Sequence, residues 1–438
     1  MLQQVRENPL WLEEFRTYLR EKGFQPEELG GADAAWSDIF PIGASAAKEL
    51  PARRLFYWTM RFFPESASRG HKLAREALDR AFNRPMRADV NWNNWLSQWY
   101  AASPNKKIAN NPIADPDAAM GSFDWMESGR TSAHTLWSED WFGDQSAQTW
   151  SLYGDLLRSA SMLGKQQFGS YVIGATIGGH AAGATYKMMS LLGHGGKAID
   201  VYTFGPNLLF ADGWSENWWV YRPIADALRL VGRSERLLYP GRPERGKVAI
   251  LLPGSSALWE KDQHHPHYNQ EMWGLHHALV YGGYSVDFVD ETDLAQGALG
   301  PRGYTTLYVT GPNVARAAQE QIKQWVQSGG TLVVTPGGAV ADEYNTPTAV
   351  LDAVLGLKNR VAVRDAAPQI SDALPMTGAL TLASAKIGTG SVNLRGPVTA
   401  LNIERAAVLA SLKTGGAGIT ANQYGNCLLY TSPSPRDS

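Results

Sequence analysis

The chain has 438 residues, of which 44% are hydrophobic, a formal net charge of −2 and one cysteine. This length is enough for two to three domains. The near-neutral charge argues against a nucleic-acid partner, which would require a basic patch, and no stretch of about 18 apolar residues predicts a membrane-spanning helix. We therefore expect neither a nucleic acid nor a membrane as partner, and the cellular compartment stays open.

The first 240 residues alternate between helical and strand-like patterns. Apolar residues at helical spacing predict helices, and short apolar runs beside turn residues predict strands. The order of these elements is typical of strands five to eight of a (β/α)8 TIM barrel. Residues 1–240 are therefore predicted to be the C-terminal half of such a barrel, with the first four strands expected before Met1. The predicted helices are Leu10–Leu19, Arg69–Phe82, Ala147–Leu163, His180–Leu192 and about Glu216–Leu230, and the predicted strands are Met86–Trp92, His134–Asp140, Phe168–Thr176 and Ala198–Pro206.

One further segment of this half, Ser122–Glu127, has a strand-like pattern. It competes with His134–Asp140 for the sixth strand, or else it belongs to a loop insertion.

Residues 246–426 are predicted to form a second domain. Strands alternate with amphipathic helices up to about residue 345, which indicates a parallel, doubly wound sheet. After Leu357 the alternation weakens, and short antiparallel strands are predicted in a small β insertion at about 358–400, before two strands that close the sheet. The predicted strands are Lys247–Leu252, Tyr284–Val289, Thr306–Gly311, Gly329–Val334, Arg360–Val363, Ala379–Ala383, Ser391–Leu394, Ala406–Leu412 and Gly418–Gln423, and the predicted helices are about Tyr268–Tyr281 and Ala315–Ser328.

Four segments of the second region carry a resemblance to a known family: Leu275–Leu279, Leu307–Val314, Trp325–Gly330 and Asp342–Asn345. They resemble the trimerisation domain of family-42 β-galactosidases, which has a flavodoxin-like, class I glutamine-amidotransferase-like fold. In the first region, Leu192–Pro206 resembles the passage into the last barrel strand of the same enzymes. The resemblance covers about residues 8–426. It implies a β-galactosidase-like glycoside hydrolase without a cofactor, acting on an oligo- or polysaccharide and assembling as a homotrimer.

A working amidotransferase would need a thiolate nucleophile, and the only cysteine is Cys427. It belongs to the last twelve residues, 427–438, which resemble a translated sequencing adapter and are interpreted as a non-native tail. We therefore expect the second domain to be a structural and assembly module. We also expect it to lack the edge strand that the tail has replaced.

Glycosidases of the retaining kind hold two carboxyl groups about 5–5.5 Å apart. In the resembled family the acid/base follows strand four, which here would precede Met1. The nucleophile follows strand seven, but Val172–Gly179 contains no acid. Either the nucleophile lies elsewhere, or the strand register differs, or the barrel is noncatalytic. The last alternative would make the protein a carbohydrate-binding or scaffold protein.

Two carboxylates beside tryptophans are the candidate catalytic residues. Glu139 lies between Trp137 and Trp141, and Glu127 follows Trp125. Desolvation by indole rings would raise a carboxyl pKa, as a general acid requires. The alternative is a structural role, in which the carboxylate caps a helix or pairs with an arginine such as Arg130.

Amides and aromatic rings at predicted strand ends are candidate sugar-binding groups, since amides bind hydroxyls and indoles cover sugar faces. The alternatives are ordinary barrel packing for the tryptophans and an Asn-rich turn for the amides. The candidates are Trp92, Asn93, Trp125, Trp137, Trp141, Tyr202, Asn207 and Trp214.

Five of the nine histidines fall between His264 and His277. A histidine-rich tract can bind metal, but no Asp or Glu spacing completes a recognised site. No metal site is therefore predicted, and a solvated loop or a subunit contact is the preferred interpretation.

Overall fold

The computed structural model describes residues 2–85, 89–92, 124–132, 134–138, 147–173, 182–202, 218–259, 267–360, 381–387, 390–395, 401–412, 415–425 and 427–431. Helices in these residues are α1 Leu2–Glu7, α2 Pro9–Glu21, α3 Glu27–Gly30, α4 Leu50–Phe82, α5 Trp125–Thr131, α6 Ala147–Gly164, α7 Gly183–Gly193, α8 Tyr221–Leu238, α9 Gly254–Trp259, α10 His267–Tyr281, α11 Glu291–Ala295, α12 Arg316–Gln327 and α13 Asp352–Leu355. Within them, no helix is long and apolar enough to cross a membrane.

The strands form two sheets. They are β1 Asp89–Trp92, β2 Thr135–Ser138, β3 Gln167–Ile173, β4 Ala198–Tyr202, β5 Val248–Leu252, β6 Val286–Asp290, β7 Thr306–Val309, β8 Thr331–Val334, β9 Thr381–Ile387, β10 Gly390–Arg395, β11 Ala407–Leu412, β12 Ala417–Tyr424 and β13 Cys427–Thr431.

The first sheet has the order β1-β2-β3-β4, and all neighbouring strands are parallel. Its strands overlap the four segments predicted for this half, and β3 begins one residue before its predicted start. Helices α6, α7 and α8 fall close to three predicted helices. One face is covered by helices, because Leu136 and Phe168 belong to the same hydrophobic cluster as residues of α6. The predicted parallel βα alternation is confirmed.

The strand predicted at Ser122–Glu127 is wrong, because helix α5 begins at Trp125. The Asp124 carboxylate accepts hydrogen bonds from the backbone N–H groups of Met126 (3.0 Å) and Glu127 (3.1 Å). Aspartate is a strong helix N-cap, and an acidic residue three positions later favours the same helix start. This capping signal outweighs the strand-like pattern.

The second sheet has nine strands in the order β10-β9-β11-β12-β13-β8-β7-β5-β6. Strands β5 to β8 are parallel to their neighbours among these four, as the doubly wound pattern predicted. The β9–β10 hairpin is antiparallel and continues the sheet through β11.

The expectation that the sheet lacks a strand after β12 is wrong. Cys427–Thr431 forms β13, which pairs antiparallel with β12 and parallel with β8. The position is interior rather than at an edge, so β13 joins the parallel and antiparallel parts of the sheet. The short apolar run Cys427–Tyr430 fits a strand that has neighbours on both sides, since buried strands often have a continuous apolar sequence.

One hydrophobic cluster runs between the two sheets. Leu152 and Leu156 of α6 belong to it together with Ile250 of β5 and Phe288 of β6, and all are almost fully buried. The first and second regions, which meet in the chain at residues 240–246, therefore share one hydrophobic core.

The N-terminal helices form a separate cluster that reaches the second sheet. Phe56 of α4 lies 4.8 Å from Trp259 of α9 between ring centroids, and Arg53 donates to the Asn345 carbonyl at 3.2 Å. Helix α4 therefore packs beside the segments that follow β5 and β8 in the chain.

Candidate functional site

The four parallel strands of the first sheet end at Trp92, Ser138, Ile173 and Tyr202. Parallel strands present their carboxyl ends along one edge, and in α/β proteins this is where ligand sites form. The segments that follow the four strands, 93–123, 139–146, 174–181 and 203–217, lie outside the described residues.

The predicted site residues divide into three groups. Glu139, Asn93, Trp141, Asn207 and Trp214 lie outside the described residues. Trp92 and Tyr202 are the last residues of β1 and β4, and Trp137 lies in β2, so the backbone brings these three to one sheet. Trp125 and Glu127 lie on helix α5 instead.

Glu127 occupies a helix that precedes β2 rather than a strand end. Burial raises the pKa of its carboxyl, the neighbouring Asp124 carboxylate raises it further, and Arg130 opposes both. The direction agrees with a general acid, but the Arg130 guanidinium lies 3.6 Å from the carboxylate. This is the arginine pairing that the sequence left open as the structural alternative.

Trp125 is 0% exposed and belongs to the hydrophobic cluster between the sheets, together with Leu152 and Leu156. A sugar-binding indole must present a ring face to its ligand, whereas this ring is enclosed by protein.

A chain of ion pairs surrounds α5 and links three parts of the molecule. Lys22 of α2 pairs with Glu65 of α4 at 2.7 Å, and Arg61 of α4 pairs with Asp124 at 3.0 Å. On the other side of α5, Arg130 contacts Asp290 and Asp293, and Arg302 is bidentate to Asp293. The charged residues beside Trp125 therefore take part in contacts that join α5 to the N-terminal helices and to the second region.

A second polar cluster is centred on Asp155 of α6, the helix that also contributes to the shared hydrophobic core. Its carboxylate accepts from His194 Nδ1 at 2.7 Å and His276 Nε2 at 2.8 Å, while Arg158 pairs with Asp287 of β6 at 2.8 Å. Burial alone would raise the pKa of Asp155, but the hydrogen bonds of the two histidines and the charge of Arg158 outweigh it and hold that pKa well below its usual range. His276 is 0% exposed, so it is a buried contact between the two regions and not part of a solvated loop.

The opposite face of the first sheet carries the predicted Trp137 together with Tyr171 and Asp200, which were not among the predicted site residues. Tyr171 of β3 pairs in register with Asp200 of β4, and Trp137 pairs with Gly169. The rings of Trp137 and Tyr171 meet edge to face at 5.4 Å. An aspartate between Ile199 and Val201 in a buried-strand pattern was a signal that could have identified this face.

In the second sheet the strand order reverses between β5 and β7, which is where open α/β sheets form ligand crevices. Here Ser255 donates its N–H (2.7 Å) and hydroxyl (2.6 Å) to Glu291, and Ala315 N–H donates to it at 2.8 Å. Burial raises the pKa of Glu291 to about 7 despite these donors. A Cβ atom at Gly311 would lie 2.4 Å from Pro253, so the strand ends are in close contact and the crevice is filled by protein.

Among the residues that the structure describes, no group of three histidine, cysteine, aspartate or glutamate side chains could hold a metal ion.

Comparisons with known proteins give a fold likeness without a sequence match. No family model matches the sequence, and no curated protein matches it. Three solved structures of β-galactosidases resemble the chain over almost its whole length. They are Gan42B, a GH42 β-galactosidase from G. stearothermophilus (TM-score 0.68, 16% identity, 96% of this chain and 62% of that chain), the cold-adapted enzyme from Rahnella sp. (0.69, 17%, 97% and 63%) and the enzyme from the haloarchaeon Halorubrum lacusprofundi (0.70, 13%, 96% and 64%).

The chain therefore has a mixed α/β fold with parallel sheets like that of GH42 β-galactosidases, and it spans somewhat less than two thirds of the length of these structures.

Proposed function

We propose that the chain belongs to a glycoside hydrolase of the GH42 β-galactosidase type. The first sheet would be the second half of its (β/α)8 barrel, and the second sheet would be an amidotransferase-like assembly domain. The observation that carries the proposal is the joint match of both sheets, because likenesses covering 96–97% of the chain include them in a single arrangement. A fold alone hosts many chemistries, so the reaction itself must be tested.

The reaction would be glycosidic-bond cleavage by carboxylate acid/base chemistry without a cofactor, on an oligo- or polysaccharide. We propose Glu139 as the first candidate catalytic carboxylate, since in the sequence it directly follows β2 at the carboxyl edge of the first sheet. Glu127 is the second candidate, supported by its raised pKa but opposed by its Arg130 partner.

The proposed sugar contacts are the residues at or after the strand ends. Trp137 is supported by its place in β2, and Trp92 and Tyr202 by theirs at the ends of β1 and β4. Asn93, Trp141, Asn207 and Trp214 follow those strands in the sequence. Trp125 is the weakest member of the set, since its ring is enclosed.

A noncatalytic carbohydrate-binding or scaffold protein is the alternative. It is favoured by one observation, the lack of any acidic residue at the end of β3 or in the segment that follows it, Gly174–Ala181. The homotrimer and the foreign origin of residues 427–438 also belong to the proposal. Light scattering on the purified protein tests the first, and resequencing the source DNA tests the second.

The deciding experiment is an assay of the protein expressed from its complete gene on a panel of aryl β-glycosides, beside Glu139→Gln and Glu127→Gln variants. A rate that falls by at least 100-fold in Glu139→Gln alone would support the proposed mechanism. A fall in Glu127→Gln alone would move the acid to α5. No turnover together with measurable sugar binding would support the noncatalytic alternative, and neither turnover nor binding would overturn the proposed function.

A further inference from the structure

We propose that helix α6 caps the open edge of the second sheet in place of a neighbouring strand, and that this cap keeps the edge from pairing with a second copy of the chain. The side chains of two consecutive residues, Arg158 and Ser159, make the cap. It is independent of the proposed glycosidase reaction, since it involves no candidate catalytic or sugar-binding residue.

Strand β6 stands last in the order of the second sheet and, among the described residues, pairs with β5 alone. An edge strand presents a row of backbone N–H and C=O groups that a foreign strand can bind, and proteins protect such edges by covering them. Here Arg158 donates a hydrogen bond to the Val286 carbonyl. The Phe288 N–H donates to the Ser159 hydroxyl at 2.8 Å. Helix α6 therefore binds the backbone of β6 as well as packing against its side chains.

These two contacts reproduce the hydrogen-bond pattern of a parallel neighbour. In a parallel ladder, one residue of the added strand donates to the carbonyl just before the residue opposite it and accepts from the N–H just after that residue. Val286 and Phe288 flank Asp287 in this way. Arg158 supplies the donor and Ser159 the acceptor that a strand residue opposite Asp287 would supply. The Asp287 carboxylate also accepts from Arg158 at 2.8 Å, which holds the guanidinium in this position.

Ser159 serves the strand without losing its contact within the helix. A hydroxyl group is one donor and two acceptors, and that of Ser159 donates to the Asp155 carbonyl one turn earlier at 2.6 Å while it accepts from Phe288. Ser159 and Phe288 are both buried. Removing the hydroxyl would leave the Phe288 N–H enclosed without an acceptor, which is unfavourable for a buried donor.

A second copy of the chain is the partner that an uncapped edge would take. Val286, Phe288 and Val289 are of the β-branched and aromatic types that favour strands. Every copy carries the same edge, so two copies can pair about a twofold axis. Main-chain hydrogen bonds give an added strand much of its affinity, and the cap occupies groups that such pairing requires.

Hydrogen exchange at the Phe288 amide tests the cap. Ser159→Ala removes the acceptor, so exchange of this amide is expected to become at least about tenfold faster relative to the Ile250 amide of β5. Ser161→Ala is the matched control, since Ser161 is a buried serine of the same helix whose hydroxyl donates to the Arg158 carbonyl. An unchanged ratio of the two exchange rates in Ser159→Ala, or an equal change in Ser161→Ala, would overturn the cap.

Light scattering over a concentration series tests the protection against self-association. The Arg158→Met/Ser159→Ala double variant removes both donor and acceptor, and it should form assemblies larger than those of the wild type. Asp287→Asn is the control, because it weakens the ion pair with Arg158 but leaves both backbone contacts of β6 in place. If the double variant does not fold, Ser159→Ala alone should show the same change to a smaller extent.

Two results would overturn the protective role. One is a size distribution that is the same in the wild type and in the folded variant lacking the cap. The other is association of Asp287→Asn to the same extent, which would assign the effect to the lost ion pair instead of to the strand edge.

Discussion

The two faces of the first sheet differ in what covers them. The helix-covered face packs through α6 onto the second sheet, with a hydrophobic cluster and the Asp155–His276–Arg158 network buried between them. The other face carries Tyr171 and the exposed carboxylate of Asp200. The comparison teaches that charged residues of this chain meet different surroundings on the two sides of the sheet: beside the covered face Asp155 is buried among its hydrogen-bonding partners, whereas on the other face Asp200 is exposed.

The largest expected effect is on the covered face, at Asp155. Asp155→Ala should destabilise the protein by about 3–5 kcal/mol, because it leaves His194 and His276 without their acceptor and removes a charge partner of Arg158. Urea unfolding measures the change, with Asp155→Asn as a control that keeps the size and part of the hydrogen bonding. A loss below about 1 kcal/mol would show that the network is not part of the folding core.

Trp125→Ala should have a comparable or slightly smaller effect, about 3–4 kcal/mol, because it opens a cavity in the core between the sheets. Thermal unfolding provides the measurement. Trp11→Ala is the matched control, since Trp11 is 47% exposed on α2 and should change stability little. A Trp125→Ala variant that was as stable as the control but had lost sugar binding would show instead that Trp125 belongs to a sugar site and not to the hydrophobic core.

An intermediate, pH-dependent effect is expected at Glu291. Its pKa is about 7 in the folded chain against an ordinary value of 4.5, so the folded state retains the proton over that interval. The contribution is therefore fully present below about pH 4.5 and is lost as the pH rises through 7, amounting to at most about 3 kcal/mol.

The measurement for Glu291 is the free energy of unfolding at pH 5 and at pH 8, compared between the wild type and Glu291→Gln. All other titrating groups are common to both proteins, so the wild type should lose more stability over this interval than the variant. Parallel pH profiles would contradict a protonated carboxyl in the crevice between β5 and β7.

The smallest effect is expected at the periphery, at the start of α2. The Asn8 side chain accepts from the N–H groups of Leu10 (3.0 Å) and Trp11 (3.3 Å). Asn8→Ala should cost about 1 kcal/mol, and Asn8→Ser should restore most of it, because serine also caps helices. A cost as large as that of Asp155→Ala would mean that the N-terminal helices fold together with the core between the sheets.

Much of the fold was predictable because local patterns repeat along the chain. The apolar runs around Ile250, Leu307 and Leu332 predicted buried parallel strands, and the amphipathic run at about Ala315–Ser328 predicted α12; all are confirmed. The difference at α5 is equally local: neither the competing strand nor the loop insertion predicted at Ser122–Glu127 takes account of Asp124, a helix N-cap that is visible in the sequence.

The site was less predictable, because its residues come from different strands. Tryptophans and carboxylates adjacent in sequence, such as Trp125 and Glu127, suggested chemistry, yet they lie on a helix in the contact between segments. Tyr171 and Asp200 are 29 positions apart and become neighbours only through the register of β3 and β4. The predictions for Glu139, Asn93, Trp141, Asn207 and Trp214 stay predictions.

The sequence by itself determined the order of the βα units and the lack of a thiolate nucleophile in the second region, because hydrophobic periodicity and residue identity are properties of single segments. Only the tertiary structure decided that His276 meets Asp155, that Cys427–Thr431 occupies an interior strand position, and which face of the first sheet packs against helices. These outcomes depend on pairing between segments far apart in the chain or on strand register. A period-2 or period-3.6 pattern specifies a face without specifying the partner that covers it.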